Sequence, residues 1–318
     1  MEVRSGIILA ALVGFSPSAR ADAEVEALFK KDFPAAAKRL EAQFARVQGS
    51  CRLWTVNPRD SRPLPTKEGR FVIDHGYEKV TIRRTLPVRG AKSHHIDNVY
   101  CVGVDTAFTL VRLPGSKEYM VEGIGSTLKD RSVYLALFGQ FIRAHHGVMT
   151  RTMSQVLASP GFRLTNVERV TKDGRSLVKI DFEIGTREPL PQGSIVFDPD
   201  AGWVVRSSDF HYGASARPRF VTDIEYGPSR DGFPLPRRVS IRDETGETLF
   251  CEFADWSFEP TPEREFKMAF YGLPDLLSKS GARRSALPYW LGGIAATGLA
   301  VAFLLRRFAS RDLKWGRA

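Results

Sequence analysis

The run Val178-x-Ile180-x-Phe182-x-Ile184 puts an apolar side chain at every second position, the period of a strand with one buried face and one wet face. The pattern recurs at Phe71-x-Ile73, Tyr100-x-Val102-x-Val104, Phe108-x-Leu110, Tyr119-x-Val121 and Ile195-x-Phe197. It continues at Phe220-x-Thr222-x-Ile224-x-Tyr226, Val239-x-Ile241 and Leu249-x-Cys251-x-Phe253. Turn signals such as Lys172-Asp173-Gly174 and Asp198-Pro199-Asp200-Ala201-Gly202 separate these runs. About ten closely spaced strands predict an α+β, mostly antiparallel domain whose sheet has one apolar face, and a sheet that wide must curl or close to hide it.

Two segments break the alternation. Residues 24–47 carry Val25, Leu28, Phe29, Phe33, Ala36, Leu40, Phe44 and Val47 at helical spacing, interrupted near Pro34. Residues 131–157 place Tyr134, Leu137, Phe138, Phe141, His145, Val148 and Thr152 on one helical face, with Pro160-Gly161 beyond as a stop. This second helix is placed to plug the concave side of a curled sheet.

The two ends set the expected compartment. Residues 1–21 combine Arg4, a short apolar run from Gly6 to Phe15, a helix-breaking Ser16-Pro17-Ser18 and the small-x-small sequence Ala19-Arg20-Ala21, the anatomy of a cleaved export signal. Ala21-Asp22-Ala23 offers an alternative cleavage point. Residues 287–305 are free of charge, begin with the interfacial aromatics Tyr289 and Trp290, and are stopped by Arg306 and Arg307. Such a run is long enough to span a bilayer. The expected organisation is a signal peptide (1–21), a domain (22–272), a tether (273–286), a transmembrane helix (287–305) and a basic cytoplasmic tail (306–318). The exported domain would then lie in the periplasm or outside, on a single-pass inner-membrane anchor.

Net charge is +10, and half of that excess lies in the first 21 and last 32 residues. The remainder is scattered among acids with no basic stripe, so nucleic acid is not an expected partner. A mean hydropathy of −0.20 excludes a multi-span membrane protein. Cys51, Cys101 and Cys251 are far apart in sequence, which excludes zinc ribbons and CxxC redox motifs while leaving any disulfide pairing open.

Chemistry-bearing motifs are scarce. No GxSxG elbow, HExxH, Walker A loop or strand-linked GxGxxG is present. Gly123-Ile124-Gly125-Ser126 reads as a strand-to-helix turn. His94-His95 and His145-His146 lack a third ligand at helical spacing, and neighbours on a helix point apart. Asp198 and Asp200 belong to a turn rather than a calcium loop, and Asp181 and Glu183 read as solvated strand charges. No catalytic residue, metal site or cofactor is expected.

The order of elements resembles the LolA/LolB-like superfamily of outer-membrane lipoprotein-sorting proteins. The resemblance rests on the opening helix running into Gln48-Gly49-Ser50-Cys51-Arg52-Leu53, on IVFDPDAGWVVRS (195–207), on DIEYGPSRDGFPLPRRVSI (223–241) and on FADWSF (253–258), and it covers most of 24–260. It implies a half-barrel plugged by helices whose apolar concave face accepts lipid or lipoprotein acyl chains. The expected lining is Phe71, Ile73, Phe108, Leu110, Leu137 and Phe141, together with Val178, Ile180 and Phe182. The apolar run at 287–305 departs from soluble, shuttling members of that superfamily. The alternative reading is a periplasmic protein-interaction or envelope-stress sensor module, and a hydrolase comes third.

Overall fold

The computed structural model describes residues 17–59, 66–86, 94–103, 107–125, 133–148, 151–185, 191–212, 219–230 and 232–274. All of them lie in one compact unit that ends at Pro274. The expected export signal up to Ser16, the tether from Asp275 and the apolar run 287–305 fall outside the described residues. Among those described, no helix is long and apolar enough to cross a membrane.

Helix α1 spans Pro17–Gln43. Pro17, expected to break a helix, is instead its first residue, where a locked φ is favourable and the missing N–H is no loss. Pro34 was expected to interrupt the helix but sits inside it. The apolar stripe explains why the helix survives: Val25, Phe29, Phe33, Ala36, Ala37 and Leu40 are all buried on both sides of the proline, and packing of that stripe outweighs one lost backbone hydrogen bond.

Strands β1 (Arg46–Val56), β2 (Lys67–Asp74), β3 (Tyr77–Leu86), β4 (His94–Val102), β5 (Ala107–Arg112) and β6 (Met120–Gly125) form an antiparallel meander. Helix α2 (Val133–Arg143), a two-residue hairpin of β7 (Gly147–Val148) and β8 (Arg151–Thr152), and helix α3 (Met153–Leu157) follow. A second meander then runs through β9 (Arg163–Lys172), β10 (Arg175–Glu183), β11 (Pro191–Asp198), β12 (Val204–Tyr212), β13 (Arg219–Arg230), β14 (Phe233–Asp243) and β15 (Thr248–Ser257). β1 pairs with β15 and fuses the meanders into one thirteen-stranded sheet with β6 and β9 as its edges.

The α+β, mostly antiparallel expectation therefore holds, and the sheet does not close into a barrel. A flat sheet of thirteen strands would be roughly 60 Å wide, several times the diameter of a helix. Yet strands from β1 to β4 and from β9 to β15 share a single core with α1, α2 and α3. The sheet must bend around its helices to do so.

The expected helix over 131–157 is broken. α2 stops at Arg143, and the chain turns through Ala144–His146 into the β7–β8 hairpin. Gly147 permits this: a Cβ there would lie 2.2 Å from the Arg151 carbonyl oxygen, so only glycine lets the two backbones approach. Thr152 then caps α3, its hydroxyl accepting from the Gln155 N–H while the Gln155 side chain accepts from the Thr152 N–H.

The sheet was expected to have one polar face, and β2–β5 depart from that. Val72, Val99, Cys101, Phe108 and Leu110 form a second buried cluster with Phe266 and Met268, on the face opposite α1. The final segment straps over this face. The Thr261 N–H donates to Asp74 (3.1 Å), Lys79 pairs with Glu265 (2.6 Å), and the Cys101 thiol donates to the Phe266 carbonyl (3.6 Å).

The same outer face carries alternating charges in register: Glu225, Arg238, Glu252, Arg52, Glu68, Arg83, Asp97 and Arg112 stand side by side from β13 to β5. Arg238 reaches both Glu252 (2.6 Å) and Glu225 (3.3 Å). Burial opposes ionisation of Asp97, but hydrogen bonds and charge from Arg83 and Arg112 prevail and hold its carboxyl below the usual range.

On the inner face Phe33 is 1% exposed and packs on Phe29 (4.7 Å), Phe197 (4.6 Å) and Trp203 (5.7 Å). Trp203 is held at φ 67°, strained for a non-glycine residue, directly after the Asp198–Gly202 turn. Phe33→Ala should destabilise the domain by about 3–5 kcal/mol. Lys30→Ala, on the exposed side of α1, should change it by less than about 0.5 kcal/mol. Urea denaturation followed by tryptophan fluorescence measures both.

Candidate functional site

The site lies where the helical insertion meets the inner face of the second meander. Gln140 of α2, Ala144 of the turn that follows it, Gly147 and Val148 from the hairpin, and Ser208, Phe210, Phe220, Thr222 and Ile241 from β12–β14 enclose a slot of about 20 Å³. That is room for one water molecule, not for a drug-sized or acyl ligand, whose sites usually run to roughly 300–1,000 Å³. A larger depression of about 550 Å³ lies on the outer face between β1, β2 and β15. Its lining mixes Cys51, Phe253 and Ala254 with the ladder residues Arg52, Glu68 and Glu252, so an apolar ligand there would share the depression with charged side chains.

Among the described residues, two polar contacts fasten the C-terminal end of α2 and the turn after it over the slot. Arg143 forms an ion pair with Glu78 on β3, and the two side chains are only 12% and 10% exposed. The His145 carbonyl accepts a hydrogen bond from the Val205 N–H of β12 at 3.0 Å. The His145 and His146 rings, expected to point apart on a helix, meet instead. The turn that ends α2 brings Nε2 of His145 to 2.9 Å from Nδ1 of His146, and both rings pack on Phe44 of α1. Nδ1 of His145 and one guanidinium nitrogen of Arg143 are buried without a hydrogen-bond partner.

Burial, with the neighbouring His146, pushes the His145 imidazole well below its ordinary range. Burial and then Arg143 push His146 down to about 3. Both rings are therefore neutral at pH 7. Among the described residues no group of three or more His, Cys, Asp or Glu is arranged to hold a metal ion.

The nine side chains expected to line a cavity are distributed as follows. Phe71, Phe141, Val178, Ile180 and Phe182 are buried in the main core, and Ile73 packs against it. Phe108 and Leu110 belong to the outer cluster beneath Phe266 and Met268, on the other side of the sheet. The side chain of Leu137 falls outside the described residues, as do the anchor residues Tyr289, Trp290, Arg306 and Arg307. Sequence reasoning missed the slot residues Ser208, Phe210, Phe220, Thr222 and Ile241. The one available signal was the presence of Ser208 and Thr222 at otherwise apolar inward positions.

The three thiols are free. Cys51 and Cys251 are diagonal neighbours across β1–β15 on the inner face, and burial followed by Cys51 raises the Cys251 thiol well above its ordinary value. Cys101 lies on the outer face, its thiol pushed up to about 12 by burial. Asp198 is structural: it caps the Pro199–Ala201 turn through the Ala201 N–H and receives Arg206 (2.5 Å) and Arg175 (3.2 Å). Asp181 and Glu183, read as solvated, pair with Lys179 (3.3 Å) and Arg163 (2.6 Å).

No protein-family model matches the chain, and no curated protein matches it either. Solved structures do. A domain named for outer membrane lipoprotein sorting from Vibrio parahaemolyticus is similar at 11% identity and a TM-score of 0.45, covering 75% of this chain and 97% of that one. A LolA superfamily protein from Nitrosomonas europaea follows at 12% identity and 0.43, covering 74% and 98%. A DUF1329 family protein from Desulfovibrio piger is similar at 10% identity and 0.43, covering 78% and 98%. The first two carry names of the kind to which the sequence resemblance pointed. The likeness concerns the arrangement of strands and helices alone.

The buried histidines generate a pH dependence. An imidazole in the unfolded chain titrates near 6.5, while in the fold both resist protonation. Above pH 6.5 neither state binds the proton and nothing is lost. Below it the unfolded chain takes up protons that the folded chain refuses, so stability falls with falling pH. From His146 alone the loss by pH 5 is about 2 kcal/mol. Urea midpoints at pH 7.5 and 5.0 check this, and His146→Gln should narrow the difference between them.

Proposed function

We propose that this chain is exported, held at the inner membrane by residues 287–305 with residues 306–318 in the cytoplasm, and binds an acyl chain of a lipid or lipoprotein between α2 and β12–β14. The observation that carries the reading is the placement of α2. An eleven-residue helix whose sequence, VYLALFGQFIR, is apolar almost all round lies over the inner sheet face beside a slot floored by Phe210, Phe220 and Ile241. A helix of that composition is at home only when covered, and an acyl chain can take over the covering when the helix lifts.

The slot as it stands admits one water, so binding requires displacement of α2. The ligand then stabilises the lifted state by its differential affinity for it. Arg143 and Glu78 are separated in that step, and Gln140, Ser208 and Thr222 are the polar groups available to a ligand's ester or carboxyl end. The first expected partner is thus an acyl chain, with the membrane as its source. The export and anchor assignments rest on the amino-acid patterns at residues 1–21 and 287–318.

Thr222→Trp should fill the floor of the slot with an indole from the half-buried side of β13 and weaken binding of a fluorescent long-chain fatty acid at least tenfold, with the circular dichroism spectrum unchanged. Unaltered affinity would remove the slot as the binding site. Native mass spectrometry of the exported, detergent-extracted chain should reveal a co-purifying species of lipid mass, and an empty chain that also fails to bind the fatty acid would sink the reading.

A further inference from the structure

Among the described residues the large hydrophobic side chains that stand exposed are Leu113, Met120, Val121, Ile124 and Phe270, each between 41% and 49% exposed. They lie at one corner of the fold. Met120, Val121 and Ile124 belong to β6, which pairs with β5 on one side and forms the sheet edge on the other. Leu113 directly follows β5. Phe270 sits in the strap, where its neighbour Tyr271 contacts Tyr119, the residue before β6, at 5.3 Å.

The opposite edge is built differently. β9 presents Arg163, Asn166, Arg169, Thr171 and Lys172 as exposed residues, the charged blunting that keeps a free edge from pairing. α1 also packs along β9. β6 has only Glu122 for that purpose, and a Cβ added at Gly123 would meet nothing within 4 Å. An apolar patch concentrated at one site marks an interaction surface.

The path of the chain identifies the partner. The strap is tied down as far as Leu273, whose N–H donates to the Met268 carbonyl at 3.3 Å, so the chain leaves the domain beside this patch. Past Pro274, the twelve residues 275–286 lead to the charge-free run 287–305. Those twelve can extend at most about 45 Å, and they carry Lys279, Arg283 and Arg284 against Asp275, a basic balance suited to anionic headgroups. With residues 287–305 as the anchor, a leash of that length keeps this corner within about 45 Å of the bilayer.

We propose that the β6 edge and Phe270 form a membrane-apposed surface that inserts its apolar side chains among phospholipid headgroups. The proposal rests on the anchor assignment made above and adds which face of the domain meets the lipid. Insertion is shallow, because the free N–H and C=O groups of β6 need water or headgroup oxygens and would be left unsatisfied in hydrocarbon. Such an orientation would keep the domain within reach of acyl chains leaving the bilayer.

The test uses the full chain in bacterial membranes, with the photocrosslinker p-benzoylphenylalanine at Val121, at Ile124 or, as a control, at Thr171 on the β9 edge. Illumination should give adducts of phospholipid mass at 121 and 124 and none at 171. A discrete protein adduct, a band at twice the chain's mass, or no adduct at 121 and 124 would overturn the proposal in favour of a partner strand, a second copy or an idle edge. Carbonate washing before illumination tests the anchor separately. If the wash releases the chain, the anchor assignment fails, and the purified chain is added to vesicles of phosphatidylcholine and phosphatidylglycerol. Lipid adducts at 121 and 124 then still support the surface, and their absence overturns it.

Discussion

The pairing of β1 with β15 holds this architecture together, because it is the one junction between two meanders that are otherwise built from neighbours in sequence. Bringing together segments some two hundred residues apart carries a loop-closure entropy of roughly 5 kcal/mol, and the seam is equipped to offset it. On the inner face Cys51, Leu53, Cys251 and Phe253 are buried. On the outer face Trp54 stacks on Phe250 at 5.2 Å with an interplanar angle of 9°, and the guanidiniums of Arg52 and Arg238 lie over the Trp54 ring. Without this seam the core beneath α1 would have walls on one side only.

The outer charge ladder addresses a different problem, which is register. A one-residue slip would turn each strand's inward side chains outward. In the ladder it would also set cations and anions out of step across neighbouring strands from β13 to β5. Exposed pairs of this kind add little stability individually, but a network in step disfavours every slipped alternative. The aromatic grip on α1 and the strap over β2–β5 then cover the two apolar surfaces that the register creates.

Much of this was legible in the amino-acid sequence, and what was not has physical reasons. Clean alternation marked β10 and β13–β15, where one face is buried and the other wet. β1 was overlooked because Gly49 and Cys51 make its inward positions small, and β9 because an edge strand carries charges on much of its length. β4 reads Val99-Tyr100-Cys101-Val102, an unbroken apolar run that signals burial on both faces. Treating it as alternating led to a one-sided sheet and placed Phe108 and Leu110 on the wrong surface. The helix over 131–157 was extended too far because His145, Val148 and Thr152 continue a helical spacing by coincidence. Nothing in spacing reveals that Gly147 admits a carbonyl where a Cβ would stand. The slot escaped notice because its lining comes from elements that only the tertiary fold brings together.

The same contrasts suggest which part of the fold gives way to a ligand. α1 is held by ring contacts among Phe29, Phe33, Phe197 and Trp203 and by a buried stripe along most of its length; displacing it would expose the core of both meanders. α2 is shorter and is fastened at its C-terminal end by a nearly buried ion pair, one backbone hydrogen bond to β12 and the apolar contacts of Phe138, Phe141 and Ile142. A buried ion pair contributes less than its proximity suggests, since taking both charges out of water offsets much of their attraction, and here one guanidinium nitrogen is also left without a partner. Lifting α2 rehydrates Arg143 and Glu78, which recovers part of the energy spent on parting them, and the apolar area exposed on Phe210 and Ile241 can be covered again by a hydrocarbon chain. The proposed acyl site thus lies beneath α2, apart from the aromatic grip on α1 and from the β1–β15 seam.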